Sequence, residues 1–154
     1  MKAISLVPAL LFALTISAKC AFCSQGIKVR VVSADGQPLA GQTILISFLY
    51  DSQRKPANSP ESVTLNTDGK GEVSVSLLDP PPEHIGVQIK LTSQNWRCAC
   101  TTLATTQDVF RTGIVVTSPA AKPKTSTEPR PGEILFTPRP LTFFERLLQP
   151  LVKQ

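Results

Sequence analysis

The chain has 154 residues, with 16 Lys+Arg against 11 Asp+Glu, a net charge of +5 and 42% hydrophobic residues. That length suits one domain with a buried core, and the scatter of the basic residues, with no stripe or cluster, excludes the electrostatic footprint of a nucleic-acid binder. Fourteen prolines and frequent Val, Ile and Thr favour strands and turns over long helices.

The N-terminus, MKAISLVPALLFALTISAKCAFCSQG, places Lys2 ahead of an uncharged apolar run from Ala3 to Ala18. A basic start, a short apolar stretch and small residues after it form the pattern of a secretory signal. The run falls short of the roughly 17–25 residues that span a bilayer. Residues 1–23 are expected to be a signal peptide, cleaved after residue 18, 20 or 23. An uncleaved anchor is the competing reading, and Lys19 disfavours lipidation of Cys20. Export sends the chain to the periplasm, the cell surface or the extracellular space, where thiols meet oxidising conditions.

The sequence IKVRVVS (27–33) alternates Ile27, Val29 and Val31 with Lys28 and Arg30, which predicts a half-buried strand. ADGQPLAG is a turn. QTILISFLY (42–50) is apolar on both faces, with Ile44, Ile46, Phe48 and Tyr50 on one and Leu45 and Leu49 on the other, and reads as a central strand. After a polar loop, SVTLN is a short strand and TDGKG a tight turn. EVSVSLL alternates with Val73, Val75 and Leu77 inward. DPPPEH is a stiff spacer, and IGVQIKL brings Ile85, Val87, Ile89 and Leu91 inward. A hairpin around Ser93 and Gln94 would return WRCAC with Leu91 opposite Trp96, Ile89 opposite Cys98 and Val87 opposite Cys100. Directly opposed residues share a face, so Trp96, Cys98 and Cys100 are expected to point into the core. Thr105 and Asp108 have the spacing of a helix start and Gly113 that of a stop, so a turn or two of helix is expected there. GIVVT is a strand, 118–132 a Pro-rich linker or loop, and 133–140 the last strand.

The tail, 141–154, changes period. Thr142-Phe-Phe-Glu145 fits a capping box, and Phe144, Leu147, Leu148 and Leu151 fall on one helical stripe. Pro150 limits the helix to about two turns. The stripe either docks on the chain's own sandwich or serves as a contact with a partner protein or membrane surface, through Phe143, Phe144, Leu147 and Leu148 with Arg139 and Arg146 alongside; an anionic lipid surface would favour those cations. Together the elements predict an all-β sandwich with a short C-terminal amphipathic helix.

Two segments carry a resemblance. VRVVSADGQPLAGQTILI is a strand, a D-G turn, a P-L-x-G step and a second strand; TLNTDGKGEVSVSL is a T-D-x-x-G turn leading into an alternating strand. In this order and spacing, the region from Ile27 to Thr117 resembles a carboxypeptidase-regulatory-like domain. The whole chain, with TGIVV, PGEILF and FFERLLQPLVK, is similar to small uncharacterised exported proteins of soil bacteria, of acidobacterial type. The resemblance implies a Greek-key, immunoglobulin-like, transthyretin (prealbumin)-type β-sandwich. It also implies a non-catalytic module that supports folding or contacts partners.

The residues that carry chemistry are few. Cys98 and Cys100 are expected as buried thiols or as a disulfide; two residues along a strand span about 6.6–6.8 Å, at the edge of disulfide geometry. A closed zinc site needs four ligands, and His84 is the sole histidine. Nucleophilic catalysis needs a base and an orienting partner, and Asp68 and Asp79 read as turn residues. The expectation is an exported, non-enzymatic module for interaction or scaffolding in the cell envelope, with no cofactor, metal or small-molecule substrate. The alternatives are a small periplasmic thiol-redox protein using Cys98 and Cys100, and a membrane-surface protein held by its C-terminal helix.

Overall fold

The computed structural model describes residues 25–118 and 128–148. The expected signal segment with Cys20 and Cys23, most of the Pro-rich linker, and Leu151 and Lys153 of the tail lie outside the described residues.

Aliphatic alternation builds two four-stranded sheets. In the first, β1 (Gly26–Val31) lies between β4 (Glu72–Ser76) and β9 (Glu133–Thr137), and β9 continues to β8 (Ile114–Thr117). The β1–β4 pair is antiparallel, with Val29 opposite Val73; β1–β9 and β9–β8 are parallel, with Val29 and Ile114 both opposite Ile134. The second sheet runs β3 (Ser62–Asn66), β2 (Thr43–Leu49), β5 (His84–Lys90), β7 (Thr101–Thr105), antiparallel throughout. Residues of period two from both sheets meet in one core: Ile27, Val29, Val31, Val73, Ile134 and Phe136 from the first, and Ile44, Ile46, Phe48, Ile85, Val87 and Ile89 from the second. This is the immunoglobulin-like all-β sandwich, one face of each sheet closing on the other.

The two-faced apolar strands divide differently. β2 is central in its sheet, yet Leu49 is exposed and Leu45 only half-buried, so its outer face stays uncovered. β9 is buried at all five positions, including Leu135 on the outer side and Glu133, whose carboxylate pairs with Arg30 Nε at 2.5 Å.

Helix α1 (Thr106–Thr112) carries the chain from the second sheet to the first. Thr105 caps it, its hydroxyl accepting from the Asp108 amide at 3.1 Å, and Val109 plugs the core. Gly113 ends it at φ +72°; an added Cβ would fall on the Arg130 carbonyl oxygen. Only glycine fits that turn.

The return after β5 departs from the expected hairpin. Val87 lies opposite Thr102, and the Ile89 amide donates to the Cys100 carbonyl at 2.8 Å. The register has moved by two residues, which keeps every side chain on the face it would have had. The slack is taken up by residues 92–100, which leave the sheet: the Thr92 amide bonds the Gln42 side-chain oxygen at 2.9 Å, and β6 (Trp96–Arg97) pairs instead with β10 (Arg139–Pro140). Trp96 is therefore half-buried on a two-stranded ribbon at the edge of the sandwich, not in its centre.

Candidate functional site: an apolar foot

The ribbon is the base of the C-terminal element. Trp96 faces Pro140 and Arg97 faces Arg139. Leu141 is buried, its amide bonded to the Asn95 carbonyl at 2.7 Å. Ser118 ties the same ribbon to the end of β8 by donating its hydroxyl proton to the Arg97 carbonyl at 2.8 Å. Helix α2 (Phe143–Leu148) starts from this base.

Its first turn is a reciprocal cap. The Glu145 amide donates to the Thr142 hydroxyl at 3.4 Å, and the Thr142 amide donates to the Glu145 carboxylate at 2.8 Å. The same carboxylate receives both terminal nitrogens of the Arg139 guanidinium, at 2.8 and 2.7 Å, and stands 3.5 Å from Arg97 Nε. Such a fork fixes direction as well as distance. The Arg139 hydrogen bonds, then the Thr142 amide, hold the Glu145 carboxyl well below the usual carboxylate range, and Glu145 in turn raises Arg139.

The clamp decides which side of α2 faces the protein. Glu145 turns toward the ribbon, and Phe143, Phe144 and Leu147 turn away, 71%, 75% and 57% exposed. Phe144 and Leu147 of the predicted stripe thus face out and the polar contact faces in, the reverse of a helix docked by its apolar face. Phe143 and Phe144 meet edge to face, with centroids 5.9 Å apart and rings at 76°, a favoured aromatic geometry that limits their freedom. Arg146 is exposed beside them, and Leu148 closes the helix. Of the predicted contact residues, the structure brings Arg139, Phe143, Phe144, Arg146 and Leu147 into one foot. Sequence reasoning missed Arg97 and the buried Leu141, which join it only through the β6–β10 pairing.

The cysteines lie just before β7. Cys98 and Cys100 are joined by a disulfide with Cα atoms 4.9 Å apart, shorter than an extended strand allows, and both are half-buried. Cys100 lies beside Ile89, whereas His84 is at the far end of β5 between Leu49 and Thr105. Five residues of strand separate those positions by about 16 Å, too far for His84 to act on either sulfur.

Among the described residues, no group of three or more His, Cys, Asp or Glu side chains is placed to hold a metal ion. Asp68 accepts from the Lys70 and Glu72 amides at 2.8 and 2.9 Å, and these bonds, the Glu72 one foremost, lower its pKa. A shallow cleft of about 690 Å³ between Pro81–Glu83 and α1 is lined by Thr105, Thr106, Phe110 and Arg111. Among the described residues, its lining includes no thiol or imidazole.

No protein-family model and no curated protein matches the chain. Among solved structures, it is similar to the pilus 2b backbone protein of group B streptococcus, at 9% identity and a TM-score of 0.44, over 79% of this chain and 43% of that one. It is also similar to the full-length major pilin SpaD of Corynebacterium diphtheriae, at 13% identity and a TM-score of 0.44, over 76% of this chain and 30% of that one. The chain spans less than half of either protein, and no activity or partner follows from likenesses at this level.

Proposed function

We propose that this chain is a non-catalytic, exported β-sandwich of the carboxypeptidase-regulatory-like type, serving as an interaction or scaffolding module in the cell envelope, with the foot as its contact element. The observation that carries the reading is the orientation of α2: Glu145 spends the helix's polar contact on the protein itself and leaves Phe143, Phe144 and Leu147 outward. Exposed apolar clusters rimmed by polar residues mark interaction sites. Support for the family type comes from the D-G turn, the T-D-x-x-G turn and the strands that follow them, β2 and β4, one in each sheet.

The test is fractionation of expressing cells. The wild-type chain is expected with the envelope, and Phe143→Asp/Phe144→Asp in the soluble fraction, with thermal midpoints of the two proteins within about 2 °C. A double variant that stays with the envelope would overturn the reading.

A second reading rests on the Cys98–Cys100 disulfide. A thiol-redox protein of this chain would reduce a disulfide substrate with turnover, and Cys98→Ser would abolish it. The distance to His84 weighs against this, because no imidazole is in reach to activate the thiolate.

A further inference from the structure

We infer that the surface the foot meets is an anionic lipid surface; this rests on the reading of the foot as the contact element. Phe143, Phe144 and Leu147 would enter the boundary between headgroups and acyl chains, with Arg146 and Arg97 at the level of the lipid phosphates.

Three features select lipid over the other occupants. The first is size. A stable protein interface takes roughly 800 Å² and 20–30 residues from each side, whereas among the described residues the foot offers three exposed apolar side chains on a six-residue helix. A bilayer surface needs only a few apolar side chains on a polar scaffold, backed by cations. The second is charge. Arg139 and Glu145 neutralise each other in their fork, which leaves Arg97 and Arg146 as the exposed cations at the foot. Anionic headgroups attract such a set, each cation contributing near the surface. A second copy would bring one positive foot against another, so like charge works against a foot-to-foot dimer. The third is shape. The edge-to-face phenylalanines project side by side from one turn, a compact wedge of the kind that enters a headgroup boundary.

The test places a reporter in the foot, so that the N-terminal segment does not affect the readout. In the full chain carrying Trp96→Phe, Phe144→Trp makes the foot's indole the sole tryptophan. It is mixed with brominated-lipid vesicles of phosphatidylcholine containing about a third phosphatidylglycerol. The expected result is a blue-shifted emission quenched by the brominated chains. Adding Phe143→Asp and Leu147→Asp should lower partitioning by about tenfold or more. Adding Arg146→Glu should lower it about threefold at low ionic strength and little at high, as screening requires. Quenching that is absent, or indifferent to the aspartates, overturns the lipid assignment. If it is absent while the phenylalanine variant still leaves the envelope fraction, a protein occupant replaces lipid and the contact reading stands; if neither responds, both fall. A concentration-dependent dimer lost in the aspartate variant would assign the foot to a second copy instead.

Discussion

Glu145 accepts from Arg139 twice and from the Thr142 amide once, and its folded-state pKa lies below the ordinary value of about 4.3 for that reason. A depressed carboxyl contributes its stability fully above the unfolded value and loses it as the pH falls through the lower, folded one. Hydrogen exchange of the 141–148 segment, corrected for intrinsic rates, should therefore be flat from pH 7 to about 4.5 and rise only in stronger acid. Glu145→Gln should raise that exchange several-fold above about pH 4.5 and approach the wild type in stronger acid, with little change in the global thermal midpoint, since local opening is separable from global unfolding. Gly113 makes a different demand. At φ +72° with a carbonyl where its Cβ would stand, Gly113→Ala should cost about 1–3 kcal/mol, read as a lowered denaturant midpoint. The cap of α2 was legible in Thr142-Phe-Phe-Glu145, because a capping box is a local spacing. Its outward stripe was not: the direction is decided by Arg139 and Arg97, brought to Glu145 by two strands of two residues each, too short to leave a periodic signal.

At the scale of elements, strand existence and inward faces were readable wherever period-two alternation ran for five residues or more. Ile27, Val29 and Val31, and Ile85, Val87 and Ile89, are buried as their spacing predicts. Register was less readable. Val87 was expected opposite Cys100 and lies opposite Thr102, because a two-residue slip changes no side chain's face and the apolar pattern does not oppose it. The segment between the strands is pulled out of the sheet by Gln42 and by the β6–β10 pairing, contacts that are distant in sequence. The central position of β9 also escaped the pattern, since ILF reads equally as an edge run or a buried one. Its burial on both sides leads to a sharp expectation: Phe136→Ala, at a fully buried position, should cost about 3–5 kcal/mol. Denaturant titration of the folded variant measures it.

For the molecule as a whole, the foot and the sandwich should separate cleanly under truncation. Among the described residues, none from Phe143 onward belongs to the buried core, so a chain shortened by 143–154 is expected to unfold cooperatively with a thermal midpoint within a few degrees of the full chain. Removing 133–154 withdraws β9 from between β1 and β8, and calorimetry should then find no cooperative transition. That difference has a temporal side. Arg30 and Glu133, joined on adjacent parallel strands, stand 103 residues apart in the chain. As the polypeptide is made from its first residue onward, β1 must wait with one side unpaired until β9 appears. Such distant pairings close slowly, because the loop entropy is spent before the contacts repay it. Until then that side of β1 is an open strand edge, ready to pair with any other strand that meets it.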